Sequence, residues 1–176
     1  MPGYGGKKVK LPSKRAKRLL VKVMMFCLGR AFPSLVKMDE ELQREVSFWP
    51  EGFTIVFEVW PNGPYMSMQR SRKGIEFLGL KKASPDLLIC VKNIDSAVLL
   101  FTGAMGTPQA YAENRVCVQG HVSDALRLVR CLNRVLFYLF PAFMARRVMK
   151  RFPKLELGRL LLGRTKAYIL GVPFGV

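Results

Sequence analysis

The stretch from Asp86 to Phe140 constrains this chain most, because strand, helix, short helix, strand and long helix follow one another without interruption. DLLICVK (86–92) is an apolar run of strand length with both faces apolar, as expected of a strand covered on two sides. Asn93 can cap a following helix in which Ile94, Ala97, Val98 and Phe101 recur at helical spacing, and Gly103 stands where a left-handed stop is needed. Thr107 and Pro108 open a shorter helix by the cap-then-proline rule. RVCVQ (115–119) alternates as a strand and Gly120 turns the chain. Ser123 then caps a long helix that ends before Pro141.

Upstream, Phe53, Ile55, Phe57 and Val59 alternate with Thr54 and Glu58, which reads as a first strand from Phe53 to Trp60. The turn-rich PNGP (61–64) leads to a second strand, Tyr65 to Arg70, with Met66 and Met68 facing one way. Arg72-Lys73-Gly74 turns into a third, Ile75 to Lys81. Four strands in meander order before the helices predict an α/β (α+β) domain: about five strands, mixed and largely antiparallel, covered by helices. Before the strands, a cationic amphipathic helix is expected from Ser13, with Lys14, Arg18 and Lys22 along one stripe and Leu19, Leu20, Val23, Met24 and Cys27 along another. A second helix is expected from Pro33 to Val46, with Asp39, Glu40 and Glu41 on a solvated face.

At 176 residues the chain suits one domain with flanks: a disordered basic tail (1–12), N-terminal helices (13–48), a core (49–143) and a basic, apolar extension (144–176). Cys27, Cys90, Cys117 and Cys131 are far apart, form no CxxC and sit in apolar stretches, so buried free thiols in a reducing compartment are expected.

The net charge of +17 is unevenly spread. Residues 1–22 hold eight Lys or Arg and no acid, residues 127–176 hold eleven against one, and the remainder holds ten against eleven. The excess therefore lies in the flanks, which predicts contact with a polyanionic surface. Lys14, Arg15, Arg18, Lys22, Arg146, Arg147, Lys150 and Arg151 are the candidate contacts, all within amphipathic segments. Arg127, Arg130 and Arg134 form a further stripe opposite Leu128, Leu132, Val135 and Leu139. Aromatics do not interleave with Lys or Arg on a strand as a stacking platform for nucleic acid requires, so an anionic membrane is expected and nucleic acid is not. No apolar run is long enough for a spanning helix, and a cytoplasmic, peripherally membrane-associated protein is expected.

Catalytic chemistry has few candidates. His121 is the only histidine, it follows the strand-ending Gly120 as a turn residue, and no carboxylate pair, phosphate loop or nucleophile motif accompanies it. No enzyme, metal site or cofactor is expected.

The strand followed by NIDSAVLLFTG, PQAYAENRVCVQG and a closing apolar helix resembles the sterol carrier protein type two family, over about half the chain. His121 replaces the Asp that usually follows the Gly of that family's R-[IV]-x-[IV]-x-G-D strand. The resemblance implies a lipid-binding domain with an apolar cavity between sheet and helices. Its walls would be Phe53, Ile55, Phe57, Val59, Met66, Met68, Ile94, Ala97, Val98, Phe101, Tyr111, Val118, Leu128, Leu132 and Val135. Periodicity alone does not separate such a wall from a close-packed core. The expected partner is an apolar lipid (sterol, fatty acyl or isoprenoid/quinone-like) that is transferred or presented. The alternatives are a nucleic-acid binder using the basic flanks and an accessory protein of a lipid or quinone biosynthetic complex. Oligomeric state is left open by the sequence.

Overall fold

A computed structural model describes residues 13–139. The expected tail (1–12) lies outside the described residues, as does the C-terminal extension (144–176) with Arg146, Arg147, Lys150 and Arg151.

Helix α1 runs Lys14–Val36, with Ser13 as its cap: the side-chain oxygen accepts from Ala16 N–H at 3.3 Å. The helix does not stop at Pro33, which lies inside it, so the second helix expected from Pro33 starts later. Helix α2 runs Glu40–Ser47 and is capped by Asp39, whose carboxylate accepts from the Glu41 and Leu42 amides. Four strands follow: β1 (Thr54–Val59), β2 (Tyr65–Ser71), β3 (Gly74–Gly79) and β4 (Leu87–Val91). Helices α3 (Ile94–Phe101) and α4 (Thr107–Ala112), strand β5 (Val116–Gln119) and helix α5 (Val122–Leu139) complete the described chain.

The sheet has five strands in the order β3-β2-β1-β4-β5. β1–β2, β2–β3 and β4–β5 pair antiparallel, whereas β1 and β4 pair in parallel. The expected meander therefore holds only for β1 to β3. A fourth strand could extend the edge at β3 or join β1, and periodicity is the same in both placements. Asp86 locks the second: its carboxylate accepts from Thr54 N–H at 2.8 Å while its amide donates to Thr54 O at 2.9 Å.

Register aligns Ile55, Phe57 and Val59 with Met66 and Met68 on one side and Leu87, Ile89 and Val91 on the other. This face carries the core, together with Val21, Met25, Leu28, Phe32 and Leu35 of α1. The buried seam of α1 is thus not the stripe of Leu19, Leu20, Val23, Met24 and Cys27. Residues 21, 25, 28, 32 and 35 recur at i+4 and i+3 and face the sheet, leaving Leu19, Leu20, Val23 and Phe26 exposed. Gly29 permits this close approach, since a Cβ there would run into the Phe77 ring of β3.

Two helices start earlier than expected, α4 by one residue and α5 by two. Gly106, not Thr107, is the cap of α4, with Pro108 in its first turn. In α5, His121 O accepts from the Asp124 and Ala125 amides and the helix begins at Val122, so Ser123 lies inside it. Cys27 is half-buried and Cys90 and Cys131 are buried as expected, but Cys117 is exposed because β5 is an edge strand.

Candidate functional site

Most of the residues expected to line an apolar site are gathered in one place. Ile55, Phe57, Val59, Met66, Met68, Ala97, Phe101, Leu128, Leu132 and Val135 are buried in a single cluster between the sheet and helices α1, α3 and α5. Phe53, Ile94, Val98 and Val118 pack against that cluster while keeping some exposure. Tyr111 stands apart: it is 65% exposed on the outer side of α4, whose buried residue is Ala110.

Closure is uneven across the sheet. Over β1 and β2 the inward side chains Ile55, Val59, Met66 and Met68 are fully enclosed. Over β4 and β5 the inward Leu87, Val91 and Val116 are buried too, and the pair Ile89 and Val118, opposite one another in register, is only half-buried. Val98, Leu99 and Leu100 of α3 and Ala125 of α5 are half-buried as well. The apolar interior therefore reaches accessible surface on the β4–β5 side.

Polar order around this interior comes from two sets of contacts. Lys17 of α1 pairs with Asp95 of α3 at 2.6 Å, tying the two helices at their starts. Between α2 and α5 runs a ladder of ion pairs. Arg134 Nε donates to Asp39 at 2.5 Å and its Nη1 donates to Glu41; Arg130 grips Glu45 with two bonds of 2.6 and 2.8 Å. Arg127 lies 3.7 Å from Glu45 and stacks over the Phe48 ring at 3.9 Å. The carboxylates expected on a solvated face of α2 are thus partly interior: Asp39 is buried and also accepts from Tyr138 Oη at 2.9 Å. Burial by itself would raise the Asp39 pKa, but the bonds from Arg134 and Tyr138 outweigh it and hold the carboxyl below its ordinary value. Burial and the neighbouring Asp39 push Tyr138 up to about 12. The stripe of arginines on α5 is consequently structural.

The exposed cations lie elsewhere. Lys14, Arg15, Arg18 and Lys22 are exposed on the first turns of α1, interleaved with Leu19 (64% exposed), Leu20 and Val23. A helix with apolar residues on both sides gives no sequence signal of which side the sheet will take.

One corner was missed altogether. Trp49 Nε1, Arg70 Nε and Ser71 Oγ are buried and have no hydrogen-bond partner among the described residues. Phe53 connects the first two: its ring stacks on Trp49 at 5.7 Å between centroids, and its carbonyl accepts from the Arg70 amide at 2.8 Å. Two-residue periodicity offered a signal, because Arg70 continues the inward row of Met66 and Met68.

No protein-family model and no curated protein matches the sequence. Among solved structures the chain is similar to a UbiJ-SCP2 ubiquinone synthesis protein, at 16% identity and TM-score 0.45 over 76% of this chain and 100% of that one. It is similar to sterol carrier protein domain 2 of Helicoverpa armigera, at 19% identity and TM-score 0.41 over 78% and 91%. It is also similar to sterol carrier protein 2 like 2 from Aedes aegypti, at 11% identity and TM-score 0.34 over 56% and 94%. All three are sterol carrier protein structures, the family whose motifs the sequence resembles.

Proposed function

We propose that this protein holds an apolar lipid between its sheet and helices, without catalysing a reaction on it, and transfers or presents that lipid at an anionic membrane surface. The observation that carries the reading is the two-sided character of α1. Its inner seam closes the apolar interior, while its outer side sets exposed Leu19, Leu20 and Val23 among Lys14, Arg15, Arg18 and Lys22. A helix of that composition is built for the headgroup boundary, where cations meet lipid phosphate and apolar side chains enter the acyl region. Docking would then place the roof of the interior against the source of the ligand. The half-buried residues on the β4–β5 side offer the route by which an acyl or isoprenoid chain reaches the interior. The inward side chains are aliphatic, aromatic or thioether, and such walls select volume and shape.

Native mass spectrometry and lipid extraction of gently purified protein test the ligand, with uptake of a fluorescent fatty acid or sterol as the second arm. Repeated absence of both extractable lipid and uptake would sink the carrier reading. Co-sedimentation with vesicles tests the surface: binding to anionic vesicles should exceed binding to neutral ones and should fall when Lys14, Arg15, Arg18 and Lys22 are replaced by Ser. Stronger salt-sensitive binding to duplex DNA than to anionic vesicles would favour a nucleic-acid binder instead.

A further inference from the structure

We propose that Cys90 and Cys117 form a thiol pair on the outer face of the sheet that reacts with a small-molecule disulfide and closes on itself, pinning the edge strand β5 to β4. The modification stands apart from the carrier reading, and only its effect on ligand entry rests on that reading.

β4 and β5 are antiparallel neighbours, and Cys90 stands directly opposite Cys117 in their register, as Ile89 stands opposite Val118. Side chains alternate along a strand, so with Ile89 and Val118 turned inward the two thiols share the outer face. Lys92 N–H donates to Arg115 O at 2.9 Å, two residues along each strand, which makes Cys90 and Cys117 a hydrogen-bonded antiparallel pair with Cα atoms about 5.5 Å apart. Disulfides bridge Cα separations of about 4.4 to 6.8 Å but need Cβ atoms nearer than such pairs hold them. Closure must therefore draw the strands together, and β5 can yield because it is a four-residue strand at the end of the sheet. A link closed in that way is reduced more readily than a relaxed one, as a reversible modification requires.

Exposure orders the steps. Cys117 is exposed, whereas Cys90 is only 5% exposed and lies beside Glu58, its register partner on β1. Burial, and after it the Glu58 carboxylate, raise the Cys90 thiol above its ordinary value, so Cys117 attacks first. With glutathione disulfide as the oxidant, the Cys117 thiolate attacks one sulfur of its S–S bond and displaces one glutathione, leaving a mixed disulfide on Cys117. Cys90 then gives up its proton and attacks the Cys117 sulfur, which breaks the mixed disulfide, releases the second glutathione and forms the Cys90–Cys117 bond. Two electrons and two protons thus pass from the pair to two molecules of reduced glutathione. Ile89 and Val118 lie on the inner face of the same two strands, at the accessible side of the interior. Fixing β5 to β4 there should restrict the opening through which a ligand enters.

Incubating the reduced full chain with glutathione disulfide, quenching with acid and alkylating the remaining thiols tests this. Of the four cysteines, two should stay alkylatable, no glutathione should be retained, and tryptic peptides 83–92 and 116–127 should run joined until a reductant is added. Cys90→Ser should stop at the mixed disulfide on Cys117, and Cys117→Ser should leave Cys90 free. All four thiols still free, glutathione retained on Cys117 of the unsubstituted protein, or a bond from either cysteine to Cys27 or Cys131 overturns the pair. Uptake of a fluorescent fatty acid should be severalfold slower in the oxidised protein and should recover on reduction. Equal rates in the two states overturn the restriction on entry, whereas no uptake in either state overturns the carrier reading and leaves the thiol pair standing.

Discussion

Single residues fix two of the junctions that hold this fold together. At Asp39, one carboxylate caps α2, pairs with Arg134 and accepts from Tyr138, so its ionised form is bonded from three directions. A carboxyl whose folded-state pKa is depressed contributes stability that is fully present above its unfolded value, about 4, and is lost as pH falls through the folded value. The melting temperature should therefore decline on acidification below about pH 4, and Asp39→Asn should flatten that decline while lowering stability at neutral pH. Breaking such a buried pair costs about 3 kcal/mol when a charge is left alone, and less here because Arg134 keeps Glu41. Thermal melts of both proteins from acid to neutral pH check this, and an unchanged acid slope in Asp39→Asn would remove Asp39 from the account. Gly120 is the second junction. It has φ +126°, and a Cβ there would sit 2.8 Å from Asp86 O and 3.0 Å from Leu87 Cδ1, in the pairing that sets β4 beside β1. Gly120→Ala should cost about 2 to 3 kcal/mol in chemical denaturation, from backbone strain together with that clash.

At the scale of elements, α1 and α3 decide whether the interior is a core or a container. The two helices are packed together and joined by Lys17 and Asp95. Ala97 sits on the inner side of α3, fully buried and next in the helical row to the half-buried Val98. In a close-packed core, enlarging Ala97 to Leu costs about 1 to 3 kcal/mol by overpacking, whereas beside a ligand space the added atoms enter that space. On the carrier reading, Ala97→Leu should keep most of the thermal stability of the ligand-free protein and reduce lipid uptake. A large loss of stability would make the position packed core, and unchanged uptake would move the ligand elsewhere. Among the described residues only α1 is long and apolar enough to cross a membrane, and half of its apolar window is buried inside the fold. Its inner seam is committed to the sheet, which leaves the outer stripe for any surface contact.

For the whole molecule, charge and apolar interior make separable demands. Attraction to an anionic surface should be worth about 1 kcal/mol per basic residue that reaches it, and should weaken as added salt shortens the screening length. Ligand held in the interior should respond little to salt. Measuring vesicle co-sedimentation and ligand-induced rise in melting temperature across the same salt series should therefore show the first falling steeply and the second nearly flat. Parallel loss of both would mean that one electrostatic contact governs them. A ligand at a hundred times its dissociation constant should stabilise the fold by about 2.7 kcal/mol, enough to read as a clear shift in melting temperature.

The sequence by itself determined the elements and much of the inner lining. Asn93 and Gly103 bound α3, alternation marked β1 and β2, and Ile94, Ala97, Val98 and Phe101 shared a helical row, because caps, turns and periodicity are local physics. It also supplied the order from β4 to α5 on which the family resemblance rests. Tertiary structure decided what local rules leave degenerate. Which partner β4 takes depends on Asp86 meeting Thr54, thirty-two residues away in sequence. The buried side of α1 depends on where Gly29 lets Phe77 approach. Whether an acidic run on α2 is solvated or interior depends on an arginine ladder carried by α5. Phe53 accepts from the Arg70 amide, seventeen residues on, only once the chain from α2 enters the sheet next to β2, so that bond belongs to the assembled fold and to no segment of the sequence.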